Sequence, residues 1–217
     1  MNVAPTFFSV EDFRARALKR LSLDLPPGAL DRDSAPTHGD YKLNAAAPDA
    51  DTIAAAQPAA VLLSVVDRPG GATVLLTQRA SALRRHSGQI AFPGGKIDPG
   101  EAPMEAALRE AREEIGLQAR DIEPVGWLDP YLTGTGFRIL PMAAIVAANF
   151  KPAVNPSEVE EAFETPLSFL MNVANHQRHS REWQGRVRHF YAMPYENRYI
   201  WGATAGILRN LYERLYS

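Results

Sequence analysis

The stretch from Gly95 to Leu117, GKIDPGEAPMEAALREAREEIGL, constrains this chain more than any other. It is a glycine-rich turn running into one acidic, amphipathic helix. Met104, Ala107, Leu108, Ala111 and Ile115 stand at offsets 0, 3, 4, 7 and 11, the stripe of a helix packed on a core. Glu110, Glu113 and Glu114 follow at i, i+3 and i+4. At about 100° per residue they share one arc away from that stripe. Carboxylates this close repel one another and hold protons unless a cation sits among them. Hard divalent cations take oxygen ligands, and Mg²⁺ or Mn²⁺ suits such a set. Arg109 stands beside the first of the three, placed to tie one down. Pro103 fits the first helical position, and Gly116 fits the left-handed residue after the last turn. Ala102 holds the cap position without a capping oxygen.

Composition closes off several function classes. Lys plus Arg is 23 and Asp plus Glu is 25, a net charge of −2, so no basic field marks nucleic acid as the partner. There are no cysteines, which removes thiolate catalysis, disulfides and cysteine zinc sites. No apolar run reaches membrane-spanning length, and MNVAPTFFSVEDFRARALKR lacks the basic-then-apolar order of a secretory leader. The expectation is a cytoplasmic protein acting on a small molecule, with no membrane or nucleic-acid partner and with homodimerisation left open.

Along the chain, Ser9 caps a helix running to about Leu21, with Asp12 at its third position. Residues 24–57 are rich in Ala, Pro, Asp and Gly without a period, and read as an irregular arm with no chemistry. Strands are expected at 59–66, 73–77, 122–128, 137–147 and 159–163, with an irregular segment at 84–93. A short helix is expected over 166–173, a hairpin turning near Gln184-Gly185 over 183–193, and a last helix over 202–216 that buries Ile207, Leu208, Leu211 and Leu215. Strands interleaved with helices give an α/β fold, a mixed sheet packed between helices. The division is residues 1–57, helix and arm, and 58–217, the functional domain.

Gly95, Glu101, Arg109-Glu110, Ala111, Glu113-Glu114 and Gly116-Leu117 together resemble the Nudix box. Upstream, Leu75-Leu76-Thr77, Arg79-Ala80, Arg84, Gly88 and Phe92-Pro93-Gly94-Gly95 resemble the signature of the coenzyme A pyrophosphatase branch of that family. Looser similarity continues in TGTGF at Thr133, NPSEV at Asn155 and IWGAT at Ile200. The resemblance implies a Nudix-type α/β/α sandwich and metal-dependent hydrolysis of the diphosphate bond of coenzyme A or its acyl derivatives. The other substrates open to such a fold are ADP-ribose, NADH or another nucleoside diphosphate derivative. A non-catalytic nucleotide-sensing module is the alternative from another class; such modules usually lose box glutamates, and this chain keeps them.

The resemblance also assigns roles. Glu110, Glu113 and Glu114 hold the metal with the Gly94 carbonyl, and Arg109 orients the acidic cluster. The general base is a box glutamate or Glu158 downstream, which otherwise belongs to a solvated acidic loop. Arg79 and Arg84 fork onto phosphate oxygens or form structural ion pairs. Gly88 and Phe92 contact substrate or only shape the loop. His176 and His179 have ligand-like spacing but no third partner nearby, and are expected on a surface loop. His86 is expected to be exposed. Tyr131, Phe137 and Trp201 flank an adenine or pantetheine arm, or pack in the core.

Overall fold

The structure, a computed structural model, describes residues 6–44, 47–81, 88–183 and 185–217. Helix α1 (Val10–Arg20) begins where Ser9 Oγ accepts the Asp12 N–H at 3.1 Å, the cap legible in the sequence. The arm then forms β1 (His38–Gly39), a 3-10 turn over Asp40–Leu43, and α2 (Ala50–Ala55), which Asp49 caps by accepting the Thr52 N–H at 2.7 Å. Next come β2 (Gln57–Val66), β3 (Thr73–Arg79), β4 (Ile90–Ala91), β5 (Gly94–Lys96) and α3 (Pro103–Ile115). After α3 follow β6 (Ile122–Trp127), β7 (Tyr131–Leu132), β8 (Phe137–Val146), β9 (Val159–Pro166) and α4 (Leu167–Leu170). The chain closes with β10 (Gln177–Trp183), β11 (Arg186–Tyr195), β12 (Arg198–Trp201) and α5 (Ala203–Leu215).

Among the described residues, β1 to β9 form one sheet whose spine runs β1-β7-β8-β2-β3-β4, with β5 on β2, β6 on β8 and β9 on β3. Strands β2 and β8 run parallel from Gln57↔Phe137 to Val66↔Val146, while β3 and β5 meet β2 antiparallel, so the sheet is mixed. Strand alternation sends side chains to two cores. Leu63, Val65, Val74, Leu76 and Ile145 face α1 and α5. Leu62, Val66, Leu75, Met142 and Val146 face α3. This is the expected α/β/α sandwich. Among the described residues no helix is long and apolar enough to cross a membrane.

Several expectations need correction. Helix α3 buries Ala106, Ala107, Ala111, Glu114 and Ile115, whereas Met104 and Leu108 are only half-buried. Its packed face is rotated from the apolar stripe because close approach to the sheet selects small side chains over large ones. The short helix stops at Leu170, and Val173–Asn175 forms a separate 3-10 turn after the Asn172 side chain accepts the Ala174 N–H at 3.1 Å. The hairpin strands pair up to Trp183↔Arg186, but the first strand begins at Gln177. His179 therefore sits on β10, not on a loop. His176 is buried, its Nε2 2.6 Å from the Leu170 carbonyl. Neither histidine approaches the acidic residues of α3 closely enough to join their cluster.

The arm lacks a period because its bonds are tertiary. Arg138 on β8 is buried and spends its guanidinium on arm carbonyls, Gly28 at 3.3 Å and Ser34 at 2.7 Å. Burial pushes its pKa down, and those carbonyls replace the lost water. Strand β1 adds to the edge of the sheet by pairing in parallel with β7.

Candidate active site

Strand β5 and helix α3 meet at the centre of the sheet because two glycines leave room. Gly94 pairs with Val61 at φ +153°, and a Cβ there would lie 2.4 Å from the Ala60 carbonyl oxygen. A Cβ on Gly95 would fall 2.3 Å from Glu110 Oε1. Gly95 is thus not a plain turn residue; its bare backbone is what lets the Glu110 carboxylate sit against β5. At the start of α3, Glu105 accepts the Ala102 N–H at 3.0 Å, but Ala102 has no oxygen to return the bond, so the capping box is half made. Gly116 ends the helix at φ +72°.

The carboxylates of Glu110, Glu114 and Glu158 converge, with one oxygen from each within 4.8 Å of the others. Glu158 arrives from the loop before β9 and is steadied by Asn155, whose Nδ2 donates to Oε1 at 3.2 Å. Glu113 stands apart from this group, exposed on the outer side of α3. Glu114 is only 3 % exposed and accepts the Gly94 N–H at 3.2 Å. Burial pushes its pKa up to about 7, the Gly94 N–H opposes this, and the Glu110 and Glu158 charges add to it. Burial also raises Glu110, against the pull of Arg109. Three hard anionic oxygens in one place, one of them driven toward protonation, fit a divalent cation.

Arg109 is the hub on the outer side. It grips Glu101 with two bonds, Nε to Oε1 at 2.8 Å and Nη2 to Oε2 at 3.0 Å. It also reaches Glu110 at 2.9 Å, Glu113 at 3.4 Å and the Lys96 carbonyl at 3.1 Å. The Glu101 bonds hold the guanidinium charged well beyond its ordinary range and hold Glu101 below the usual carboxylate range. Glu101 belongs to the box motif, and its spacing alone shows no task for it. Its task here is to fix the arginine that fixes Glu110.

The cluster opens onto a cavity of about 470 Å³. Phe92, Phe137 and Ile139 contribute apolar wall, and Trp201 stands at its edge. Arg79 lines it too, its Nη1 3.9 Å from Glu114, while its buried Nε donates to nothing among the described residues. Gly88 lies in an exposed turn, its N–H bonded to the Arg79 carbonyl at 3.1 Å, and is not part of the cavity wall. Tyr131 is buried and does not line the cavity. Arg84 and His86 lie outside the described residues.

Asp40, from the arm read as having no chemistry, also reaches the cavity. It accepts from the Tyr131 hydroxyl at 2.7 Å and from the Gly134 N–H at 2.8 Å, holding the Thr133–Thr135 loop at the rim. No local signal marks it, because its partners are some 91 and 94 positions away in sequence.

A family model described as the NUDIX domain matches residues 56–184 of the chain. The uncharacterized Nudix hydrolase NudL of Yersinia pestis is 39% identical over 158 residues, 72% of this chain and 79% of that protein. NudL of Yersinia pseudotuberculosis matches to the same extent. Among solved structures, the Nudix hydrolase RenU of M. smegmatis is 28% identical over 52% of this chain and 71% of its own, with a TM-score of 0.42. The NUDIX domain of Shewanella oneidensis NrtR, complexed with ADP ribose, is 17% identical over 81% of this chain and 97% of its own, with a TM-score of 0.48. With a domain model spanning more than half of the sequence and relatives at 39% identity, this chain belongs to the Nudix hydrolase family.

Proposed function

We propose that this Nudix pyrophosphohydrolase is a cytoplasmic enzyme that adds water across the diphosphate bridge of coenzyme A or an acyl derivative. The products are (acyl-)4′-phosphopantetheine and adenosine 3′,5′-bisphosphate. The observation that carries the reading is Arg79, a guanidinium of the upstream signature, brought beside the Glu110–Glu114–Glu158 cluster with a buried donor unspent. A bridging diphosphate supplies the acceptors it lacks.

Glu110 and Glu114, with the Gly94 carbonyl, would hold Mg²⁺ or Mn²⁺; Glu113, which the family resemblance makes a third ligand, stands outside that cluster and faces Arg109 at 3.4 Å. When bound, such an ion neutralises diphosphate oxygens and lowers the pKa of water. Glu158 takes the proton of the attacking water, with Asn155 keeping it aimed. Arg109, fixed by Glu101, positions Glu110. Arg79 and Arg84 hold phosphate oxygens, Gly88 shapes the exposed turn just before β4, and Phe92 supplies apolar wall for the pantetheine arm.

Turnover of coenzyme A, acetyl-coenzyme A, ADP-ribose and NADH in isotopically labelled water, with Mg²⁺ or Mn²⁺ and mass analysis of the products, tests this. The expected result is the phosphopantetheine and bisphosphate pair with label on one of them. ADP-ribose or NADH turned over far faster than either coenzyme A species would overturn the substrate assignment.

A further inference from the structure

The three-stranded sheet β10-β11-β12 has one face on the core, through Met193 and Ile200, and one face free. On the free face the register sets His179 opposite Phe190, Arg181 opposite Arg188, and Trp201 beside Ala192, with Tyr199 two residues from Trp201. The rings form a connected group. Phe190 and Trp201 lie 5.2 Å apart, Tyr199 stacks on Trp201 at 6.3 Å, and His179 Nδ1 sits 2.6 Å from the Tyr199 hydroxyl. They floor a second concavity of about 520 Å³ that Arg181 also lines. No carboxylate occupies a position on this face of the three strands, and among the described residues neither Arg181 nor Arg188 makes an ion pair.

The face joins the catalytic cavity at two points. Trp201 lines both concavities. Arg188 reaches the Thr133–Thr135 loop at the cavity rim, where a methyl placed on Gly134 would lie 3.0 Å from its Nη1. We infer that this aromatic and arginine-bearing face is a shelf for the nucleoside end of the substrate, the base lying on the Tyr199–Trp201–Phe190 group and the ribose 3′-phosphate meeting Arg181 and Arg188. The ligand's identity rests on the coenzyme A reading above; the shelf itself rests on the register, the rings and the unpaired arginines. Planar bases stack on such rings whatever their edge pattern, and a phosphate dianion offers acceptors to two arginines set opposite each other across the strands. The division of labour follows: apolar walls for the pantetheine arm inside, a cationic aromatic shelf for the bisphosphate end outside.

The test uses Arg181→Ala, Arg188→Ala and the double variant, each checked for an unchanged melting temperature. Adenosine 3′,5′-bisphosphate and adenosine 5′-monophosphate are titrated calorimetrically, and KM is measured for coenzyme A and dephospho-coenzyme A. The expected result is roughly tenfold weaker bisphosphate binding in the double variant and a matching rise in KM for coenzyme A. The monophosphate and dephospho-coenzyme A should change little. Bisphosphate affinity that is equal in wild type and double variant overturns the shelf even if coenzyme A is a substrate. Arginine-dependent bisphosphate binding without coenzyme A turnover leaves the shelf standing and removes the substrate reading. Sedimentation supplies the remaining outcome. A dimer split by Phe190→Asp, with bisphosphate affinity unchanged, makes this face an interface between copies and overturns the inference.

Discussion

Helices α3 and α5 pack on opposite faces of the same sheet and do so with opposite materials. α5 buries Ile207, Leu208, Leu211 and Leu215, side chains whose volume fills the core. α3 buries Ala106, Ala107 and Ala111, and along with them a carboxylate, Glu114. Alanines give up apolar area but let the helix sit close enough for Glu110 to touch Gly95 and for Glu114 to accept the Gly94 N–H. One helix is built to stabilise and the other to hold charge where the fold would otherwise exclude it.

The sharpest way to separate the two is Glu114→Gln. It removes an anionic oxygen from the cluster, and activity should fall on the order of a thousandfold, several kcal/mol of transition-state stabilisation. The fold should be no less stable without metal at pH 8, since a buried charge has gone. A wild-type rate in a folded variant would sink the role given to this residue. On the other side, Leu211→Ala empties fully buried volume in α5 and should cost about 2–5 kcal/mol in urea denaturation. The folded variant should keep its rate below its melting transition. A large loss of rate in fully folded protein would show that α5 also shapes the site.

The buried charge predicts a pH dependence of definite sign. Glu114 is raised to about 7 from 4.5, so the folded chain holds a proton that the unfolded chain releases. Stability of the metal-free protein is therefore greatest below about 4.5 as far as this group is concerned, falls as pH rises through 7, and then levels. The whole effect is on the order of 3 kcal/mol. Denaturation of metal-free protein at pH 5 and pH 8 measures it, and Glu114→Gln should remove most of the slope. Saturating Mg²⁺ should also flatten it, because the ion takes the place of the proton. The smallest effect is at the start of α3. Ala102→Ser completes a box that Glu105 already half makes, and should add about 0.5–2 kcal/mol. An unchanged melting temperature would count against the cap.

The boundaries of α3 and the Ser9 cap of α1 were legible because they depend on neighbours within a turn. So were β2, β3 and β8, whose runs of apolar residues bounded by Gly and Pro leave little choice. The Asp49 cap of α2 was as readable as Ser9, but the alanine-rich surroundings gave no stripe to attach it to. His176 looked like a loop residue because burial comes from Tyr212 and Leu170, which sequence spacing does not place beside it.

By itself, then, the sequence determined a two-faced acidic helix, the strands around it and a family resemblance that the domain match supports. Spacing on one helix is a local property, and 3.6 residues per turn fixes it. Only the tertiary structure decided which glutamates meet. It turned Glu114 inward and left Glu113 outside, and it carried Glu158 across from another loop to complete the cluster. It also set Glu101 behind Arg109 and brought Asp40 to the cavity rim. Those placements depend on how closely α3 approaches the sheet and on bonds between residues far apart in sequence. Helical periodicity encodes neither.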